Sequence, residues 1–413
     1  MLGIVVGGIT VFLFFYAVYF LGTACFSFGK QKPKISFQKA QKKIAVLIAA
    51  RNEEIVIGNL IDSLQKQRYP KKLYDIIVIP NNCTDQTAEV AKKHGATLLT
   101  CEKKVKSKGE VLQLAFDRLK KKKYDAFLIF DADNIVHPDF LQKINDALCA
   151  GYLVCSGFRD SKNPYDNWLS GAYTLFYWCQ NAMFNRARRN LSSSAAINGT
   201  GFAISREYLE KYGYDVKTLT EDIEFSGICA IHNIKIAYIE DAVTFDEQPL
   251  DFQTSWHQRK RWSVGCCQCF RIYAKDLMHS FWKYHNMASL DMLFVYFSSY
   301  VQAIGIVTFL LSLLNFVHIV SIPMIGFSML LFLLVGLVVI YFLIVVFFMV
   351  VVKSCHKNIR KMLHGIFSFP IFIVTWIPIN LIAIFKGNIA WREIKHTRNI
   401  SSQELLSEEV TQE

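Results

Sequence analysis

The chain has 413 residues, of which 52% are hydrophobic and 33 are phenylalanine. This is more apolar surface than one soluble core hides, so the composition excludes an ordinary soluble domain and indicates that a bilayer covers part of the chain. The formal net charge of +12 indicates an anionic partner, which is a membrane face, a polyphosphate-bearing substrate or nucleic acid, and the apolar composition favours the first two.

Residues 1–29 are predicted to form a transmembrane anchor helix. Residues 2–29 carry no charge, lack the basic n-region of a cleaved signal peptide, and exceed the length of its apolar region. Lysines follow at once, at positions 30, 32, 34, 39, 42 and 43. By the positive-inside rule they place the next domain in the cytosol, which predicts a multi-pass protein of the cell membrane with a cytoplasmic domain.

Residues 43–276 show short β-rich runs that alternate with amphipathic helices. Apolar strands are predicted at residues 44–48, 76–79 and 126–130. This alternation is typical of an α/β fold with a mostly parallel sheet, whose ligands bind beyond the carboxyl ends of the strands. The polar side chains that follow the predicted strands are Asn52, Asn81, Asp85, Asp131 and Asp133.

Asp131 and Asp133 are separated by one residue at a predicted strand end. Hard cations such as Mg²⁺ and Mn²⁺ take oxygen ligands, usually one or two carboxylates together with phosphate oxygens and water. The pair therefore predicts a divalent metal site. Two solvated aspartates at a strand end are the alternative interpretation.

Eleven cysteines are scattered without paired spacing, mostly in the predicted cytosolic region, so no disulfide framework is expected. Cys266, Cys267 and Cys269 form the densest group, but no second Cys/His pair stands at zinc-finger spacing. The group is therefore a poor candidate for a metal site.

Two transmembrane helices are predicted within residues 280–352. The uncharged spans cover residues 292–317 and 324–352, and each exceeds the roughly 20 residues that cross a bilayer. The short link between them contains His318 and Pro323, which suits a hairpin turn outside the membrane.

Residues 353–398 are predicted to form a basic loop followed by a further membrane segment and a cytosolic tail. The apolar stretch 362–385 contains Pro370 and Pro378 and has basic residues on both sides. A kinked re-entrant or interfacial pair of short helices keeps both basic clusters inside, whereas a fourth straight span exports one of them, so we favour the former. Residues 399–413 are predicted to be a disordered acidic C-terminus.

Seven sequence blocks carry a resemblance to a known family. They are IAARNEE (48–54), VIPNNCTDQT (78–87), KSKGEVLQLAF (106–116), FDADN (130–134), INGTGFAISR (197–206), TEDIEF (220–225) and QRKRW (258–262). Residues 44–276 resemble the catalytic domain of family 2 glycosyltransferases of the GT-A type. The whole chain resembles the cellulose, hyaluronan, chitin and poly-N-acetylglucosamine synthase group. The resemblance implies a Rossmann-like GT-A domain inserted between transmembrane helices.

The resemblance also implies roles for individual residues. Asp222 matches the family's general base, since a carboxylate within hydrogen-bond reach can deprotonate an acceptor hydroxyl. Asp133 matches the ligand of Mg²⁺ or Mn²⁺. The predicted nucleotide-sugar contacts are Ala50, Asn52, Glu54, Asn81, Asp85, Lys108 and Asp131. The predicted acceptor and pyrophosphate contacts are Gly199, Thr200, Glu221, Gln258, Arg261 and Trp262.

The QRKRW block has a physical rationale of its own. The planar fork of Arg261 matches phosphate oxygens, and the flat apolar face of Trp262 can stack against a pyranose. An amphipathic interfacial helix is the alternative, because Arg, Lys and Trp also suit lipid headgroups. Two other blocks have comparable alternatives: a solvated basic surface around Lys108 and a plain tight turn at Gly199.

Asn81 stands where the family usually has Asp. An amide both donates and accepts hydrogen bonds, whereas a carboxylate only accepts, so the contacts to the base are expected to differ. Uridine diphosphate remains the expected nucleotide, carried by a donor of the UDP-glucose or UDP-N-acetylglucosamine class.

Two acceptors remain open from the sequence. The first is a growing β-linked polysaccharide that the helices conduct outward, and the second is a lipid that receives one sugar. Three predicted transmembrane helices are few to form a channel for a polysaccharide, unless a homo-oligomer or an accessory subunit completes the channel. A transporter or a nucleic-acid binder is disfavoured, because no predicted span carries a run of ionisable residues and no base-recognition motif is present.

Overall fold

A computed structural model describes the backbone of residues 2–29, 34–101, 104–319, 323–389 and 394–410, and within these the side chains outside 2–5, 312–334 and 408–410. The strands are β1 Ile44–Ala50, β2 Tyr74–Pro80, β3 Thr97–Leu98, β4 Ala126–Asp131, β5 Ile135–Val136, β6 Val154–Ser161, β7 Phe202–Ser205 and β8 Ile236–Asp246. The helices up to the end of the α/β region are α1 Leu2–Cys25, α2 Ile57–Gln65, α3 Thr87–Lys93, α4 Lys108–Leu119, α5 Phe140–Cys149, α6 Trp168–Cys179, α7 Ala187–Asn190, α8 Arg206–Tyr212 and α9 Glu221–Ile231. The remaining helices are α10 Phe252–Tyr284, α11 Met287–Ile319, α12 Pro323–Ser354, α13 Ile359–Val374, α14 Trp376–Phe385 and α15 Ser402–Val410, with a 3₁₀ turn at Lys71–Leu73 and a π-helix at Gln180–Arg186.

The strands form one mixed sheet in the order β3-β2-β1-β4-β7-β6-β8-β5. The predicted parallel pairing holds for β3, β2, β1 and β4. In the other half β6 and β8 are also parallel, whereas β7 runs antiparallel to β4 and β6, and β5 runs antiparallel to β8. The sheet is therefore mostly parallel, as predicted, but mixed, because β7 and β5 run in the opposite direction. β7 and β4 are far apart in sequence, so no local strand-helix-strand connection fixes their relative direction.

The central strand β1 is buried on both faces, as expected for a strand with helices on either side. Ala45 and Leu47 pack into one apolar cluster with residues of α4 and α6. Ile44, Val46 and Ile48 pack into another with residues of α2 and α5. This burial keeps the strand rigid and presents its carboxyl end at a fixed position.

Four helical segments are long and apolar enough to cross a membrane: Val6–Cys25, Met287–Leu311, Val335–Ser354 and Ile359–Phe385. They lie in α1, α11, α12 and the α13–α14 pair. The predicted hairpin turn between α11 and α12 falls on residues 320–322, which are outside the described residues. Helices α11 and α10 pack side by side, while α12 packs against α13 and α6.

A buried ion pair joins α1 and α11 to the α/β domain. Arg188 of α7 donates to Asp291 of α11 at 2.6 Å, and the Tyr19 hydroxyl of α1 donates to the same carboxylate at 2.9 Å. The side chains of Arg188 and Asp291 are both almost fully buried. Each neutralises the charge of the other, which would be costly to bury without a partner.

The apolar stretch near the C-terminus forms two helices that meet at Thr375. Arg259 of α10 donates to the carbonyl of Phe372 at 3.2 Å and to Thr375 Oγ1 at 2.6 Å. Pro378 lies in the first turn of α14, where its missing N–H costs nothing. The observed pair of short helices is compatible with the predicted re-entrant or interfacial arrangement, whose position in the membrane remains a prediction.

The prediction of a disordered C-terminus differs from the structure, which has helix α15 there. Leu405 is 4% exposed and packs with Ile135 and Phe245. Acidic composition alone suggested disorder, but the leucines of this segment give the helix an apolar side that the α/β domain buries.

Candidate active site

A cavity of about 1010 Å³ lies between the α/β domain and the last helices of the chain. On one side it reaches the carboxyl ends of β1, β2 and β4 and the starts of α4 and α9. On the other side it is lined by α10, α11, α14 and the segment 394–396. This is where a parallel sheet is expected to bind its ligand.

Most of the predicted site residues line this cavity. They are Asn81, Lys108, Asp131, Asp133, Gly199, Glu221, Asp222, Gln258, Arg261 and Trp262. The structure does not place Ala50, Asn52, Glu54, Asp85 and Thr200 on the cavity wall.

The loops after β1 and β2 explain three of these five differences. Asn52 has φ +56°, a left-handed backbone conformation that asparagine adopts more readily than most residues. Its Oδ1 accepts from the N–H of Thr84 at 2.8 Å. Glu54 accepts from the N–H of Gln86 at 2.8 Å, while its own N–H donates to Asp85 at 3.1 Å. These residues tie the two loops together, and Arg51 and Glu53 line the cavity instead.

Ala50 and Thr200 likewise support neighbours that line the cavity. The carbonyl of Ala50 accepts from the backbone N–H of Asn81 at 2.9 Å and from its Nδ2 at 3.0 Å. Thr200 Oγ1 accepts from the N–H of Asp131 at 3.0 Å and also bonds to Asn134. Both residues therefore fix the positions of the predicted contacts Asn81 and Asp131.

Lys108, at the start of α4, connects the two acidic motifs. Its Nζ donates to Asp131 and to the carbonyl of Gly199 at 2.7 Å, and it lies 3.7 Å from Glu221. Burial alone would lower the pKa of Lys108, but the carboxylates of Asp131 and Glu221 outweigh it and raise the pKa. The lysine is therefore a cation that holds the two motifs at one point.

Asp222 lies at the start of α9, close to the loop that carries Gly199. Gly199 has φ +85°, and a Cβ placed there would lie 3.5 Å from Asp222 Oδ2 and 4.0 Å from Asp131 Oδ2. These two distances are ordinary van der Waals contacts, whereas the same Cβ would lie 3.2 Å from the Arg159 guanidinium, which is tight, and the positive φ disfavours any side chain there. Burial raises the pKa of Asp222, opposed by the N–H of Ile223 and by the charge of Lys108. A buried carboxylate with a raised pKa is a stronger proton acceptor than a solvated one.

Asp133 offers a carboxylate for a divalent cation. It is 4% exposed, and its Oδ2 accepts from the N–H of Glu247 at 2.9 Å. Burial raises its pKa, but the charges of His396 and Lys162 outweigh burial and lower it, so Asp133 is ionised. Within the described part of the chain no three His, Cys, Asp or Glu side chains form a metal-binding group. The donor set therefore fits a cation that takes one or two carboxylates here and its other ligands from phosphate and water.

The segment 394–399 adds cavity residues that the sequence motifs did not indicate. His396 Nδ1 lies 2.9 Å from Glu53 Oε2, and the N–H groups of Thr397 and Arg398 donate to Glu247 at 3.1 and 3.0 Å. Burial would lower the pKa of His396, but Asp133 and Glu53 outweigh it and raise the pKa to about 10. This histidine is far from the motifs in sequence, so no local pattern pointed to it.

Arg159, in the middle of β6, is a second cavity residue that we missed. It donates to Asp246 and, at 2.6 Å, to the carbonyl of Asn198, and its guanidinium lies 3.9 Å from the centre of the Tyr177 ring. The available signal was an arginine beside Asp160 near the end of a strand that is buried along almost all of its length.

The far end of the cavity is aromatic. Trp262 and Phe176 are stacked at 14° with ring centres 6.2 Å apart, and Trp376 lies 6.2 Å from Trp262 at 34°. Gln258 Oε1 is buried without a hydrogen-bond donor among the described residues. The block QRKRW therefore contributes polar and aromatic groups to one wall.

Comparison with known proteins places residues 40–265 in the family model described as glycosyltransferase like family 2. A probable glycosyltransferase, YdaM of Bacillus subtilis, is 27% identical over 279 residues, which are 60% of this chain and 63% of that protein. The β-monoglucosyldiacylglycerol synthase of Synechocystis is 22% identical, covering 56% of this chain and 49% of the relative. The poly-β-1,6-N-acetyl-D-glucosamine synthase of Staphylococcus aureus is 25% identical, covering 62% and 64%. The chain thus spans about half to two thirds of these relatives.

A solved structure has a similar fold over most of the chain. The mannosyltransferase PcManGT from Pyrobaculum calidifontis, solved in complex with GDP-Man and Mn²⁺, matches with a TM-score of 0.59 at 14% identity. The match covers 90% of this chain and 99% of PcManGT, so the likeness extends beyond the α/β domain.

Proposed function

Because this chain belongs to glycosyltransferase-like family 2, which uses nucleotide sugars, we propose that it transfers a sugar from a nucleotide sugar to an acceptor hydroxyl at a membrane face. The observation that carries the proposal is the single cavity that joins Asp133, Asp222 and Trp262 to helices α11 and α14. Donor, base and acceptor groups thereby share one space beside helices long enough to cross a bilayer.

The donor nucleotide binds at the carboxyl ends of β1, β2 and β4. Asn81 uses its Nδ2 to donate to the carbonyl of Ala50, which leaves its Oδ1 as an acceptor. In this state the amide presents the same acceptor character as the aspartate usual in the family, so it suits the imide N–H of uracil. This supports a UDP-sugar of the glucose or N-acetylglucosamine class.

Asp133, with Asp131 beside it, is suited to hold Mg²⁺ or Mn²⁺ against the donor phosphates. The cation supplies positive charge that stabilises the leaving diphosphate. Lys108 and Arg261 line the same cavity and add charge of the same sign, and Arg261 can bind two phosphate oxygens at once.

Asp222 takes the proton from the acceptor hydroxyl. The hydroxyl oxygen then attacks the anomeric carbon from the side opposite the diphosphate, which leaves with the bonding electron pair. This in-line displacement inverts the anomeric configuration, so a UDP-α-sugar gives a β-linkage. Burial raises the pKa of Asp222, which makes the carboxylate a better proton acceptor. The positive charges of Lys108 and Arg261 favour the deprotonated form that a base needs before the reaction.

A growing β-linked polysaccharide is the first acceptor that we consider. The stacked pair Trp262 and Phe176, with Trp376 beside it, offers an aromatic surface at which a sugar ring can rest. The resemblance to polysaccharide synthases and the poly-N-acetylglucosamine synthase relative support this acceptor.

A lipid that receives a single sugar is the second acceptor. The cavity is bordered by α11 and α14, which belong to candidate membrane spans, so a hydroxyl on a membrane lipid has direct access. The β-monoglucosyldiacylglycerol synthase relatives support this acceptor.

Incubation of the full chain in lipid with a panel of nucleotide sugars and Mg²⁺ or Mn²⁺ tests the proposal. Mass measurement of the products should show transfer from a UDP-sugar, with a ladder for a polymer or a single addition for a glycolipid. Asp222→Asn should lower kcat by about 10² to 10⁴-fold because the base is lost. Glu207→Gln changes an exposed carboxylate of α8 outside the cavity and is the control, which should leave kcat unchanged.

Nucleotide-sugar binding by the Asp222→Asn protein, measured by calorimetry, should stay unchanged. Near-normal transfer by this variant with intact donor binding would contradict the assignment of the base. A nucleoside diphosphate other than UDP that inhibits far better than UDP would contradict the donor assignment.

A further inference from the structure

A chain of polar side chains crosses from α11 to α14 at the far end of the cavity. Ser299 Oγ donates to Asn380 Oδ1 at 3.0 Å, and Asn380 Nδ2 donates to Gln302 Oε1 at 2.6 Å. Ser299 is 2% exposed and Asn380 3% exposed, whereas Gln302 is exposed. All three side chains line the cavity that contains Asp222.

Amide groups are unfavourable inside a membrane segment unless their hydrogen-bonding atoms find partners. Ser299 and Gln302 lie in the candidate span Met287–Leu311, and Asn380 lies in the candidate span Ile359–Phe385. Amide and hydroxyl side chains within membrane segments commonly hydrogen-bond across helices, and ionisable ones mark substrate sites. The buried pair Ser299 and Asn380 joins the two helices, and Gln302 supplies an acceptor for Asn380 while its own NH₂ group stays at the exposed cavity wall.

The direction of the hydrogen bonds defines what Gln302 offers to a ligand. The carbonyl oxygen of Gln302 already accepts from Asn380, so its NH₂ group is the part available to a molecule in the cavity. An amide NH₂ donates to a hydroxyl oxygen without adding the charge attraction that a lysine or arginine offers to a phosphate. Neighbouring wall residues are also uncharged, namely Val295, Ser298, Ile373 and Trp376.

The distance from the base suits the end of an acceptor molecule. Tyr296 of α11 donates to the carbonyl of Ile223, the residue after Asp222, at 2.8 Å. Gln302 is six residues further along α11, which is about 9 Å at the rise of an α-helix. Gln302 therefore lies less than two helical turns beyond the residue that contacts the backbone next to Asp222, on the wall along which an acceptor would extend from the base.

We propose that Gln302, held by Asn380 and Ser299, positions an uncharged hydroxyl-bearing acceptor, either a sugar ring or the glycerol end of a neutral lipid. The inference rests on the proposed glycosyl transfer and specifies its acceptor chemistry. A lipid phosphate is the less favoured acceptor, because the groups beside Gln302 are uncharged; a cation that lines the cavity at the end of α14 is Lys386, six residues after Asn380. The cations Lys108 and Arg261 instead line the cavity near the acidic motifs.

The test uses the full chain in phosphatidylcholine vesicles with three acceptors, each assayed separately: 1,2-dioleoylglycerol, a β-linked glucose tetramer and a polyprenyl phosphate. Wild-type protein should glycosylate one of the two neutral acceptors. Transfer to the diacylglycerol would identify a lipid hydroxyl as the acceptor, and transfer to the tetramer would identify a sugar hydroxyl. Preferential use of the polyprenyl phosphate, which accepts through a phosphate oxygen, would overturn the inference and the hydroxyl acceptor but would leave sugar transfer from the nucleotide donor in place. Transfer to none of the three would overturn both the inference and the sugar transfer.

Variants separate positioning from structure. Gln302→Met keeps the length of the side chain and removes its NH₂, so it should raise KM for the neutral acceptor by about tenfold, the loss of one hydrogen bond, while donor KM and kcat stay within about twofold. Asn380→Leu should act in the same direction. Val307→Leu changes an exposed residue of α11 outside the cavity and should have no effect. An unchanged acceptor KM in Gln302→Met, or an equal rise in donor KM, would refute the role of Gln302.

Discussion

At the scale of single residues, the environment of Asp222 determines how the protein should respond to pH. Burial raises the pKa of this carboxyl group, and Lys108, Arg261 and Arg159 each oppose the rise. Only the deprotonated form can accept the proton of an acceptor hydroxyl. Activity should therefore fall as pH drops through the pKa of Asp222, at a higher pH than for an ordinary aspartate.

Arg261→Gln should move the acid limb of the kcat profile to higher pH. The variant removes a cation that favours the charged carboxylate, so the pKa of Asp222 rises further and more of the base is protonated at a given pH. Measurement of kcat between pH 5 and pH 8 with saturating donor detects the shift.

Two variants control for other effects of that substitution. Arg261→Lys keeps a charge and should leave the acid limb near its wild-type position, although it cannot form the planar two-point contact with phosphate. Gln258→Ala changes a neighbouring cavity residue without changing the charge and should not move the limb. An identical profile for Arg261→Gln and wild type would show that Asp222 is not the titrating group.

The residues around Asn52 show where the sequence was insufficient. Strand β1 and the polar residues that follow it were recognisable from the sequence, as an apolar run followed by polar residues. Which side chains enter the cavity was not, because β1 is buried on both faces, so its apolar sequence does not show which alternate set of residues continues into the cavity. Arg51 and Glu53 line the cavity in place of Ala50, Asn52 and Glu54.

At the scale of elements, the C-terminal helix α15 holds the segment that completes the donor end. Leu405 anchors it beside Ile135 of β5 and Phe245 of β8, and β5 begins two residues after Asp133. The segment before the helix places His396 against Glu53 and two N–H groups against Glu247. Packing at Leu405 therefore supports contacts near the proposed metal carboxylate.

Leu405→Ala should release this segment. Replacing a buried leucine with alanine lowers the free energy of unfolding by about 2 to 5 kcal/mol. The remaining surface contacts of α15 contribute less than this, so the helix should detach. We expect faster limited trypsin cleavage at Lys395 and Arg398 and lower transfer activity with the α/β domain still folded. The exposed residue Gln403, changed to alanine, is the control and should leave cleavage unchanged. Equal cleavage rates in wild type and Leu405→Ala would show that the helix does not hold the segment.

Two strands, β7 and β5, run against the rest of the sheet and depart from the predicted parallel pairing for a physical reason. Strands β1, β2 and β4 are joined through helices, and this connection produces parallel neighbours. β7 is only four residues long and follows the glycine loop at Gly199 and Gly201, so its antiparallel pairing depends on contacts that are distant in sequence. Local patterns therefore predicted the α/β class and the position of the site but not the whole topology.

At the scale of the whole molecule, both ends of the α13–α14 pair contact the α/β region and α10. Gly365 of α13 packs closely on Gly171 of α6, where an added Cβ would lie 3.0 Å from the Gly171 backbone. After α14, the carbonyl of Gly387 accepts from Gln268 of α10 at 2.8 Å. Because both ends of the α13–α14 pair are attached to the α/β region and α10, we expect the pair to return to the side of the membrane on which it began.

The C-terminus should therefore lie on the same side of the membrane as the catalytic domain. Sealed vesicles that contain the protein with a C-terminal tag test this with external protease. The tag and catalytic-domain peptides should be cleaved together or protected together, and detergent should expose both. Cleavage of the tag alone would show that residues 359–385 cross the bilayer, as the alternative interpretation holds.

The family match and the cavity do not cover the same residues. The matched region ends at residue 265, whereas the cavity wall continues through α11, α14 and His396. The seven motifs predicted the donor and base groups because each motif is local in sequence. The amides of α11 and α14 and the C-terminal histidine were not predictable, because only the folded helices bring them to the cavity.

The contact between Glu53 and His396 also has a consequence for biosynthesis. The two residues are 343 positions apart in the chain. Translation at about 5 to 20 residues per second leaves Glu53 without this partner for roughly 20 to 70 s after it is made. Helices α1, α11 and α12 precede His396, so ribosome-bound chains can enter the membrane before their donor pocket is closed. Completion of synthesis thereby sets the earliest moment at which the finished pocket can hold a nucleotide sugar.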